Sequence, residues 1–197
     1  MKSTMLGLLT VGLLTGPIAA QAASVIVGDR AWRQLTETVN LTWDQIATVC
    51  DVTSGACSGS LTVDGVTVSF AGWTWAANPD IQALFDKLIQ PGAANFPTDT
   101  SHFVQPDSAD IKRAVAGAPL FEPTFVRAEP GLEQRGAEGW SRTTASPPDK
   151  AHVPGLAVTI PGAGAWPDNA TLGGAASKKT RDKSIGVWLY KAAPLRR

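Results

Sequence analysis

Histidine is nearly missing from this chain. Of 197 residues only two are histidines, His102 in TSHFVQP and His152 in KAHVPG, both in proline-flanked stretches. Neither stands in an H-E-x-x-H or similar zinc spacing, so the sequence offers no metal site and no metal cofactor. Catalytic signatures are missing too: there is no G-x-S-x-G elbow, no G-x-G-x-x-G opening a helix after a strand, and no Walker loop. No catalytic residue is assigned, although a triad dispersed along the chain is recognised by geometry and leaves an exported hydrolase as the alternative. Charge of one sign is lacking as well, with 17 basic against 17 acidic residues. Its one basic run, Lys178, Lys179, Arg181 and Lys183, is interrupted by Asp182 and reads as a solvated loop, so nucleic acid is not an expected partner.

Cysteine is equally scarce. Cys50 and Cys57, seven positions apart, are the only pair, and in an oxidising compartment they read as a small disulfide loop. A redox pair would ordinarily show C-x-x-C at a helix N-terminus. Long apolar runs are confined to the first residues. MKSTMLGLLTVGLLTGPIAAQAA carries Lys2, an apolar stretch from Met5 to Leu14, a Gly16-Pro17 break and an Ala20-Gln21-Ala22 cleavage site, the pattern of a bacterial secretory signal. That stretch is well short of the roughly 20 residues needed to span a bilayer. Residues 1–22 are therefore read as a signal peptide and 23–197 as one exported domain, secreted or periplasmic, with no membrane association after cleavage. Removal of Lys2 leaves 16 basic against 17 acidic residues.

What is present is patterned. LTWDQIATVC has a capping box, Thr42 with Gln45, followed by Trp43, Ile46, Val49 and Cys50 at helical spacing. SLTVDGVTVSF places two β-branched runs around Asp64-Gly65 and predicts a β-hairpin. GWTWAANPDIQALF predicts a second helix with Asn78 as N-cap and Pro79 at its first position, presenting Ile81, Leu84, Phe85 and Leu88 on one face until Pro91-Gly92. From 91 to 138 the prolines predict a loop-rich insertion. LAVTI at 156–160 and IGVWLYK at 185–191 predict strands, the last one closing the domain near the first. The expected class is α+β: two short helices packed on a mostly antiparallel sheet.

The segments WRQLTETVNLTWDQIATVC, FAGWTWAANPDIQALF, GWSRT and GVWLYK together resemble a group of exported bacterial proteins of unknown function, many of which end in a PEP-CTERM sorting tail. More distantly their order is similar to that of C-type-lectin-like domains. The resemblance implies a C-type-lectin-like arrangement with long loops. The sorting tail and the second cysteine pair of animal lectins are not present, so neither is carried over. Two segments, Gln105-Pro106-Asp107 and Trp166-Pro167-Asp168-Asn169, resemble the calcium-ligating triplets of sugar-binding lectins. Their order differs, since the first precedes Trp140 and about sixty residues separate the two.

Seven tryptophans and one tyrosine must serve the core or a ligand. Trp43, Trp73 and Trp188 are expected inside, and Trp75 at least partly so. Trp140 and Trp166, flanked by Gly, Ser, Pro and Asp, are the expected exposed rings, and with Asp168 and Asn169 they form the candidate ligand-binding set. Glu122, Glu129, Glu133 and Glu138 supply the carboxylates that a hydrolase would need. Asn40-Leu41-Thr42 and Asn169-Ala170-Thr171 match the glycosylation pattern, but Asn40 and Thr42 are read as helix-start residues. The expected function is a non-catalytic module recognising a glycan or an extracellular protein, the alternatives being a hydrolase or a structural matrix component.

Overall fold

The computed structural model describes residues 24–89, 120–129, 132–160, 169–172 and 174–194. The signal segment, Gln105–Asp107, Trp166 and Asp168 lie outside the described residues. In chain order come β1 (Ser24–Val27), β2 (Arg30–Arg33), a 3-10 turn (Leu35–Thr38), α1 (Trp43–Ile46), β3 (Ser60–Val63), β4 (Val66–Ser69), β5 (Thr74–Trp75) and α2 (Asn78–Ile89). They are followed by β6 (Phe125–Glu129), β7 (Leu132–Trp140), β8 (Lys150–His152), β9 (Gly155–Ile160), β10 (Asn169–Thr171), β11 (Ala175–Ser177), β12 (Ile185–Val187) and β13 (Leu189–Ala192). This is an α+β fold with mostly antiparallel sheets. Among the described residues no helix is long and apolar enough to cross a membrane.

Local chemistry explains several elements directly. Thr42 Oγ1 accepts the Gln45 amide at 3.1 Å while the Gln45 side chain accepts the Thr42 amide at 3.0 Å, closing the predicted capping box. The regular helix behind it is only four residues long before Cys50 turns into its disulfide with Cys57. That cross-link closes a short loop and contributes about 2–3 kcal/mol on a chain-entropy account. β3 and β4 pair in register across Asp64 (φ 48°) and Gly65 (φ 83°), the left-handed turn expected of Asp-Gly. Asn40 Nδ2 donates to Asp64 Oδ2 at 2.8 Å, so Asn40 tethers the hairpin turn, while Thr42 alone caps the helix.

Three sequence expectations are corrected. Asn78 is the first helical residue, not the cap; the Asp80 carboxylate instead accepts the Ala77 amide at 2.9 Å, and Asn78 turns inward. The expected loops of 91–138 end in a hairpin, β6 with β7, whose alternation was hidden by glycines and charged residues on the strands. IGVWLYK is two strands. β12 runs parallel to β7 with Val187 opposite Trp140, and β13 runs antiparallel to β2 and β5 in a different sheet. Trp188 sits at the crossing.

The first sheet has the order β1-β2-β13-β5, so the last strand does lie beside the first hairpin. The second has the order β10-β9-β7-β12, with β6 and β12 end to end along one edge of β7. Strand alternation splits the core in two. Ala137 and Leu156 face a cluster with Trp32, Leu35, Ile81, Phe85, Phe121 and Trp188, whereas Trp140 and Val187 face a second with Trp43, Phe70, Trp73, Trp75 and the disulfide. The face of α2 predicted to be apolar is the face that packs, through Ile81, Leu84 and Phe85.

Candidate functional site

The tryptophans among the described residues are structural. Trp43, Trp73 and Trp188 are buried as expected, and Trp75 is completely so. Trp140, expected to be exposed, has 0% relative accessibility and offers no face to a ligand. Its small neighbours mark close packing rather than a loop: a Cβ at Gly139 would lie 2.2 Å from Leu35 Cδ2, and Ser141 is itself buried. The indole N–H groups stitch distant segments together, Trp140 to the Leu41 carbonyl at 2.9 Å, Trp75 to the Trp140 carbonyl at 3.1 Å and Trp43 to the Ser141 carbonyl at 3.0 Å. Of the remaining candidates, Asn169 begins β10 with only its backbone described, opposite Ala157.

The GWSRT segment is a polar brace. Ser141 Oγ donates to Asn78 Oδ1 at 2.7 Å, Asn78 Nδ2 donates to the Leu172 carbonyl at 3.3 Å, and the Asn78 amide donates to Thr143 Oγ1 at 2.9 Å. Arg142 Nη1 donates to the Val52 and Thr53 carbonyls, at 3.2 and 2.6 Å, holding the disulfide loop. His152 is the neighbour of Ser141 across a backbone hydrogen bond of 3.1 Å. Burial holds its imidazole below the ordinary histidine range, partly offset by hydrogen bonds with the backbone of Gly174 and Leu172. Ser141 is fully buried and committed to Asn78, so this pair does not present a nucleophile.

The candidate carboxylates are dispersed. Glu122 accepts from Thr36 Oγ1 at 2.6 Å, Glu133 pairs with Arg135, and the Glu129 side chain lies outside the description. Glu138 differs from these. It stands on β7 between Gly155 of β9 and Ile185 of β12, and its Cγ lies 2.6 Å from where a Cβ on Gly155 would be. Burial raises its carboxyl above the usual glutamate range, Arg127 opposes that shift, and Asp182 adds to it.

A different group of residues meets at the surface. A cleft of about 300 Å³ is lined by Asp44, Asp149, Ser177, Lys178 and Lys179. Main-chain bonds fix its walls: the Asp44 amide donates to the Lys178 carbonyl at 3.3 Å, and the Lys178 amide donates to the Asp149 carbonyl at 2.8 Å. Lys178 Nζ lies 4.4 Å from the centre of the Trp43 ring, a cation–π contact that holds one ammonium against a rigid wall. Asp44, Asp149 and Lys179 are exposed. The sequence pointed to Lys178 and Lys179 only as a solvated run, and it gave no sign of Asp44, Asp149 or Ser177 as partners. Asp44, Asp149 and the run 177–179 are far apart in the chain, and no local periodicity brings them together; only the backbone bonds of the fold do.

No family model, curated protein or solved structure matches the chain.

Proposed function

We propose that this protein is a secreted, non-catalytic binding module with a C-type-lectin-like arrangement, recognising a glycan or an extracellular protein. The cleft of Asp44, Asp149, Ser177, Lys178 and Lys179 carries this reading, because it gathers hydrogen-bonding and charged groups on walls fixed by the main chain. The disulfide and the closing of the last strand onto the first hairpin support the compartment and the arrangement. A panel of glycans and cell-envelope preparations tests it. Binding is expected for the native chain and should weaken about ten-fold when Asp149→Asn and Lys179→Ala are combined, each removing one surface contact of roughly 0.2–1 kcal/mol. A panel with no binding above background, or binding indifferent to both changes, defeats the proposal.

A second reading, an exported hydrolase, is favoured by one observation: the half-buried carboxyl of Glu138 with its raised proton affinity. Glu138→Gln separates the two. Burial disfavours the ionised form in the folded protein, so the folded chain holds the proton more tightly than the unfolded chain. The Glu138 contribution to native stability is then greatest below the ordinary glutamate range and is lost as pH rises through that range to the raised folded value. The glutamine variant is expected to flatten this loss in pH-dependent urea unfolding. If Glu138 is a catalytic acid, the same change also abolishes turnover of any ester, peptide or glycoside that the native protein hydrolyses. An unchanged pH profile means that Glu138 is not the titrating group.

A further inference from the structure

We propose that the cleft lined by Asp44, Asp149, Ser177, Lys178 and Lys179 takes a small zwitterion, a ligand bearing both a free ammonium and a free carboxylate, as an unblocked amino acid or dipeptide does. The inference rests on reading this cleft as a binding site and goes further by naming the ligand's chemistry, which falls on the peptide side of the glycan-or-protein reading. Two acidic and two basic residues line one small volume. Among the described residues none of the four is in an ion pair. The backbones of Asp44, Lys178 and Asp149 are tied by the Asp44–Lys178 and Lys178–Asp149 main-chain bonds, and Lys178 is held on the Trp43 ring. The charges are therefore set apart by the fold and left open.

Opposed charges on a fixed frame discriminate by sign. A simple anion drawn to Lys178 and Lys179 meets Asp44 and Asp149, and a simple cation meets the reverse. A neutral sugar would strip water from four ions and return only neutral hydrogen bonds. A zwitterion gives each sign its partner, and Ser177 adds a hydroxyl that both donates and accepts. A volume of about 300 Å³ suits one or two residues, not an extended chain.

Titration of the full exported chain with alanyl-alanine, followed by NMR shifts at low salt, tests the assignment. N-acetyl-alanyl-alanine lacks the ammonium, alanyl-alaninamide lacks the carboxylate, and a neutral trisaccharide lacks both. The free dipeptide is expected to bind, and either blocked form to bind about five-fold more weakly, the scale of one exposed ion pair. In Asp149→Asn the gap between the free and acetylated forms should narrow, and in Lys179→Ala the gap between the free and amidated forms should. Both sites are exposed, so melting temperatures should match the native chain. Equal binding of free and blocked dipeptides, or binding of the trisaccharide alone, overturns the zwitterion and leaves the cleft as a binding site. No response to any of these probes or to the glycan and envelope panel overturns both.

Discussion

Trp188→Ala is expected to lower the unfolding free energy by about 3–5 kcal/mol, a large share of a margin of about 5–15 kcal/mol. Burial alone is of that order, since an indole removes about 150–250 Å² from water at roughly 25 cal/mol per Å². Position adds to it. The ring meets Trp32, Phe85 and Phe121 edge-on, with centroids 6.1, 6.1 and 5.3 Å away, and its N–H donates to the Pro154 carbonyl at 2.9 Å. One side chain thus joins the first sheet, α2 and the second sheet, and alanine leaves a void that no single neighbour can fill. Urea unfolding followed by far-UV circular dichroism measures the loss. A change under about 1 kcal/mol, similar to that of an exposed control such as Thr62→Ala, would show that the two sheets hold together without this ring.

How much of this was legible in the sequence depended on range. Signals that close within a few residues were readable: Thr42 with Gln45, Asp64 with Gly65, the apolar face of α2, and Cys50 with Cys57. Each is fixed by backbone geometry or periodicity over one or two turns of chain. What failed was long-range. Trp140 looked exposed because Gly139 and Ser141 flank it, yet Gly139 lets Leu35 and Trp188 approach and Ser141 binds Asn78, a residue 63 positions away. IGVWLYK is apolar throughout, so its period could not reveal that the chain changes sheets at Trp188. The cleft was the least legible feature, because its two carboxylates come from separate segments and meet the lysines only through the main-chain bonds of Lys178. Charged residues carry no register of their own on a surface.

Gly186→Ala should destabilise by about 1–3 kcal/mol or more, and its sign is the informative part. On an open strand the change would help, because glycine costs roughly 0.5–1 kcal/mol relative to alanine in backbone entropy. Here a Cβ on Gly186 would lie 2.3 Å from the Leu35 carbonyl oxygen, 2.8 Å from Leu35 Cβ and 2.9 Å from its carbonyl carbon. These are mainly backbone atoms of the 3-10 turn and cannot rotate aside. Gly186 pairs with Gly139 in the parallel register, so two bare positions form the trough in which that turn lies. Thr38, at the end of the turn, accepts the Val187 amide at 2.9 Å through Oγ1, and lifting the turn breaks that buried bond as well. Gly139→Ala should cost less, since its obstacles, Leu35 Cδ2 at 2.2 Å and Trp188 Cδ1 at 3.1 Å, are side-chain rather than backbone atoms. The expected order of melting temperatures is native, then Gly139→Ala, then Gly186→Ala. A Gly186→Ala protein as stable as the native chain would mean that the turn does not rest on the β7–β12 pair, and the seam between the two sheets would have to be redrawn there.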